Sequence, residues 1–158
     1  MNQAAPPQLS ELTDPLDASE SPFEDDWNDG RSSSADDVVR HGEVMASLAL
    51  IYLRHSDAAR AMVLGLAAMA MGDLSPATVL TVAESMLLAG DPQQSLAVLS
   101  RFDRYETAQT GLSMPPDTAQ LAARHYISAR VLFRLDDTEG ARAALARARE
   151  FQQGVVPE

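Results

Sequence analysis

One pattern of small and apolar residues recurs along this chain at an interval of 34 residues, and it narrows the folds available more than any other feature. Counting from Gly42, the chain places Met45, Leu48, Ala49, Tyr52, Ser56, Ala61, Gly65 and Ala68 at set offsets. Counting from Pro76, the same offsets hold Val79, Val82, Ala83, Met86, Gly90, Ser95, Leu99 and Phe102. A third copy runs from Ala122 through His125, Ser128, Ala129, Leu132, Asp136, Ala141, Leu145 and Ala148, displaced by the connection "RYETAQTGLSMPPD". Steps of three and four between apolar positions are those of one helix face. Small residues facing each other let two helices approach closely, while the large ones fill the layer between. A unit of this length holds two short helices and cannot bury its own apolar face, so stacking against its neighbours is required. Gly65, Phe102, His125 and Ser128 depart from the type that their positions call for.

Punctuation agrees with this reading. Gly72, Pro76, Gly90, Pro92, Gly111 and the pair Pro115 and Pro116 separate the periodic segments. "SADD" near residue 34 offers an N-cap followed by carboxylates that complement a helix dipole. No run has the alternating, β-branched look of a strand. The expectation is an all-α domain with helices near 35–54, 57–71, 76–89, 92–103, 117–135 and 137–151. Connections of a few residues pair them into antiparallel hairpins.

The chain has 158 residues, 46% of them apolar, enough for one modest domain with a real core. It lacks cysteine, which removes disulfides and thiolate metal sites. No stretch is long and apolar enough for a membrane span, and the start lacks the basic and apolar regions of a secretory signal, so a cytoplasmic location is expected. The net charge is −11, of which residues 1–30 carry −8 without a single basic residue. All basic residues are arginines. So acidic a chain is repelled by phosphate backbones, which argues against nucleic acid as a partner. Three parts follow: a disordered acidic extension over 1–33, a helical domain over 34–151 and a flexible end over 152–158. Within the extension, Phe23 and Trp27 lie four apart among carboxylates, either as part of a solvated tail or as a short docking motif. A calcium loop starting at Asp25 fails because Trp27 occupies a ligand position.

Catalytic signatures are missing. There is no nucleophile elbow, phosphate-binding glycine loop, dinucleotide fingerprint or His-Glu-x-x-His motif. His41 and Glu43, like His55 and Asp57, are two residues apart and diverge on a helix. His125 falls on a packing position. The expectation is a non-catalytic protein without metal or cofactor.

The repeat, with phrases such as "HSDAARAMVLGLAAM" and "LLAGDPQQSLAVLSRFD", resembles the tetratricopeptide class of small bacterial type III secretion chaperones, most of all the YscY-like type. The needle-subunit cochaperone and translocator chaperone types remain alternatives within that class. The resemblance spans residues 40–150 and implies three hairpins forming a short α-solenoid, with the first helix of each hairpin lining a concave face. It further implies a cytoplasmic chaperone that holds a small secreted protein or an export-apparatus component. The acidic extension and the long connection before the third hairpin depart from that pattern.

Carried onto this chain, the concave positions include Leu50, Leu53 and Arg54, then Leu80, Glu84, Leu87 and Leu88, then Tyr126, Arg130, Phe133 and Arg134. So many large apolar residues on a water-facing surface would mark an interaction site. The arginines suit a carboxylate or the carbonyl end of a bound helix. An apolar groove of this kind fits a helix or extended segment of another protein. The alternative is an assembly adaptor that homodimerises through the same surface.

Overall fold

The computed structural model describes residues 34–104 and 111–154. The expected disordered extension, with Phe23 and Trp27, lies outside the described residues, as do the last four residues of the expected flexible end. The described chain is all-helical, as the periodicity predicts. Its elements are α1 (Ser34–Arg54), α2 (Ala58–Ala70), α3 (Pro76–Ala89), α4 (Pro92–Leu99), α5 (Thr118–Arg134) and α6 (Thr138–Gln152). The fourth expected helix is shorter than its period suggested. It stops at Leu99 and tightens into a 3₁₀ turn over Ser100–Phe102.

The turn inside each hairpin is built the same way three times. Ser56, Gly90 and Asp136 adopt left-handed backbone, with φ of 65°, 95° and 62°. The next residue sends its N–H back to the helix just ended: Asp57 to Tyr52, Asp91 to Met86 and Asp137 to Leu132, at 3.0, 2.9 and 3.0 Å. That closure satisfies carbonyls the helix end would otherwise leave open. The same aspartate caps the following helix, its carboxylate accepting from the N–H of Arg60, Gln94 or Gly140. One two-residue device therefore ends one helix, reverses the chain and starts the next.

Packing follows the repeated small positions. Ala49, Ala83 and Ala129 are buried, as are their partners Ala61, Ser95 and Ala141. At the α3–α4 crossing the Ser95 hydroxyl donates to the Ala83 carbonyl at 2.7 Å, so the small residues at this crossing also share a hydrogen bond. α3 is the most enclosed element, with Val79, Val82, Ala83, Met86 and Leu87 all buried. Two clusters form around it. In one, Ala83, Leu87 and Leu99 meet Ile127 and Val131 of α5. In the other, Val79 and Phe102 meet Leu112.

Three of the residues that depart from the repeat have physical reasons here. Gly65 sits between Ala49 and Val82, and a Cβ there would stand 2.5 Å from Val82 Cγ2. Phe102 fills a space that Leu112 of the long connection closes from the other side. His125 stacks on Phe151 of α6, with ring centroids 5.4 Å apart and planes inclined by 9°. The part of the connection from Gly111 to Ser113 thus packs against the core. Gly111 lies directly on the backbone of Arg101, and the Ser113 N–H donates to the Leu74 carbonyl at 2.9 Å.

Candidate protein-binding surface

The sequence-predicted site residues divide according to what α5 covers. Leu87 is 1% exposed and belongs to the core, because Ile127 and Val131 of α5 lie over it. It is therefore no free anchor, although it reaches the floor of a cavity described below. Leu80 is half-buried and packs against both core clusters. Leu50, Leu88, Tyr126 and Phe133 do stand exposed, Phe133 most of all at 69%. Leu53 is half-buried, and Arg54 is exposed at the end of α1.

Glu84 and Arg130 form a tie between α3 and α5 rather than a free pair of charges. Arg130 donates to the Glu84 carboxylate, and its guanidinium lies 5.8 Å from the centroid of the Tyr126 ring. The ring face and the carboxylate together hold the cation in place. The second carboxylate oxygen, Oε2, is buried without a hydrogen-bond partner among the described residues.

Around this tie the structure opens a cavity of about 500 Å³. Tyr126, Phe133 and Arg134 of α5 form one wall, Leu87 of α3 contributes to the floor, and Ala141 and Leu145 of α6 close the other side. Periodicity had assigned Ala141 and Leu145 to packing inside their hairpin. They face the cavity because α5 and α6 make the last hairpin and no described helix follows. The signal for this was available in the count of copies, since a final hairpin has one stacking face left over.

A second cavity, of about 480 Å³, lies on the first hairpin between α1 and α2. Leu48, Tyr52, Val63 and Leu64 line it, and Arg60 stands over the Tyr52 ring at 5.7 Å. None of these five was singled out as a binding residue from the sequence. Leu50, Leu53, Arg54 and Leu88 line neither cavity, so the expected concave row is not one continuous groove of lining residues.

Among the described residues no group of histidines and carboxylates could hold a metal, and no helix is long and apolar enough to cross a membrane. His125 is held neutral: burial lowers its pKa to about 4, the neighbouring Arg124 and Arg147 push the same way, and Asp103 opposes them. Its ring is committed to stacking on Phe151, away from the cavity lining. Arg124 donates to Asp103 and stands over the Phe102 ring, bracing the start of α5 against the 3₁₀ turn. No protein-family model, no curated protein and no solved structure matches this chain.

Proposed function

We propose that this protein is a non-catalytic binding module of tetratricopeptide-like architecture that holds a segment of another protein. The observation that carries the reading is the pair Tyr126 and Phe133, two aromatic residues 51% and 69% exposed at the wall of a 500 Å³ apolar cavity. Exposed aromatic side chains beside a cavity, with arginines at its edge, are the composition of interaction hot spots. Three hairpins closed by the same turn, with buried small residues at equivalent places, support the repeat architecture. On the family resemblance of the sequence, the role is that of a cytoplasmic chaperone keeping a type III secretion export component soluble.

The test is capture of bound protein by the tagged chain in its native cells, beside a Tyr126→Asp, Phe133→Asp variant. Tyr126 also braces Arg130, so a single Phe133→Asp variant, whose side chain is 69% exposed, is run beside it and should keep its thermal unfolding midpoint. A small secreted or export protein retained by the wild type and lost from the variant supports the reading. Equal retention by both forms defeats it.

A second reading, an assembly adaptor that self-associates, draws support from the apolar cavity on the first hairpin, where Val63 is 62% exposed. Sedimentation velocity across a concentration series separates the two. A rise in mass without any partner favours the adaptor.

A further inference from the structure

Residues 46 positions apart occupy equivalent places in the second and third hairpins, and their fates differ. Ala83, Leu87 and Leu99 are fully buried because Ile127 and Val131 of the following helix lie across them. Their counterparts in the last hairpin are Ala129, Phe133 and Leu145, all of which line the open cavity. Leu87 is 1% exposed and Phe133 is 69% exposed. The first hairpin repeats the covered case: Gly65, the counterpart of Leu99, has Val82 of α3 against it. In two hairpins of three the face is covered by the first helix of the next one, and in the third no described helix lies across it.

We infer that the α5–α6 cavity is a helix seat, and that its occupant is an acidic amphipathic helix of a partner protein. This inference rests on the protein-binding reading and names the class of partner. The covered hairpin shows what such a seat takes: a helix presenting apolar side chains four residues apart, as Ile127 and Val131 do. Charge sets the rest. Arg134 and Arg142 flank the cavity, and neither has an ion-pair partner among the described residues. Residues 118–152 hold six arginines against four carboxylates, a net +2 within a chain of −11. An incoming helix with Glu or Asp beside its apolar stripe neutralises Arg134 and Arg142 as its aliphatic residues cover Phe133 and Leu145. A basic helix would meet two uncompensated cations.

A random library of peptides about four helical turns long, displayed and selected on the full-length chain, gives the test. The enriched peptides are expected to carry apolar residues at three- and four-residue spacing and a net negative charge, and to gain helical circular dichroism on binding. Anisotropy of a labelled winner should show about tenfold weaker binding to an Arg134→Glu, Arg142→Glu variant. A peptide with its acids changed to lysine should recover affinity for that variant and lose it for the wild type. Phe133→Ser should weaken binding of every winner. Proline-rich, extended or basic winners that still need Phe133 overturn the acidic-helix assignment and leave the protein-binding reading standing. Winners indifferent to both Phe133 and Tyr126 overturn both. Self-association of the wild type that Phe133→Ser abolishes assigns the seat to a second copy. Tighter peptide binding by a Phe23→Ser, Trp27→Ser variant assigns it to the chain's own acidic segment. Either result overturns the proposal.

Discussion

Gly65 of α2 lies so near Val82 of α3 that a methyl group on residue 65 would stand 2.5 Å from Val82 Cγ2. Val82 is wholly buried, and its branched side chain is restricted in χ1. In an open helix Gly→Ala is stabilising by about 1 kcal/mol. Here the overpacking outweighs that gain, and Gly65→Ala should destabilise the fold by about 1–2 kcal/mol. With Val82→Ala in the background the sign should reverse. Urea midpoints for the four members of the cycle measure this, and a Gly65→Ala change that stabilises both backgrounds defeats the close-contact argument.

The hairpin turns make a second, independent prediction. Ser56 and Asp136 occupy the left-handed region that Gly90 occupies without steric cost. Ser56→Gly should therefore raise stability by up to about 1 kcal/mol, and Asp136→Gly by less, because Asp tolerates that region better. Gly90→Ala should lower stability by about 1 kcal/mol. Removing a cap, as in Asp57→Ala, Asp91→Ala or Asp137→Ala, should cost about 1 kcal/mol each. Thermal melts of these single variants suffice, and a stabilising Gly90→Ala would contradict the shared turn.

His125 couples stability to pH. Its folded pKa is lowered to about 4 from the ordinary 6.5, chiefly by burial. As pH falls below 6.5 the unfolded chain takes up a proton that the folded chain refuses. Stability from this group is thus complete above pH 6.5 and is lost on the way down to pH 4, with a limiting slope of about 1.4 kcal/mol per pH unit. His125→Phe keeps a ring against Phe151 and cannot titrate. Its denaturation midpoint should fall less than that of the wild type between pH 7 and pH 5. An imidazole NMR titration showing a midpoint near 6.5 for His125 would refute the assignment.

The Glu84–Arg130 tie should behave as a coupled pair. Arg130→Met leaves a partly buried carboxylate without its partner and should cost about 1–2 kcal/mol, less than a fully buried pair because both groups reach solvent. Adding Glu84→Gln should return part of that loss. A double-mutant cycle read from chemical denaturation gives the coupling energy, and a value near zero would make the pair incidental.

By itself the sequence determined the local structure. Helical spacing, Gly and Pro punctuation and the recurrence of small residues were enough to locate all six helices to within a few residues, because backbone preference and one-sided apolar patterning are properties of neighbours along the chain. The cap roles of Asp57, Asp91 and Asp137 were not read from the sequence, and they show only when the three turns are set side by side. Tertiary structure alone decided which apolar residues are core and which are surface. Leu87 and Phe133 carry the same periodic signature, yet one is sealed by α5 and the other stands open. Burial depends on whether another helix lies across a given face, and in a stacked array that is settled by the next hairpin rather than by the residue or its near neighbours. The same dependence explains why Gly65, Phe102 and His125 looked out of place in sequence. Each is fitted to a contact, with Val82, Leu112 or Phe151, that only the packed chain creates.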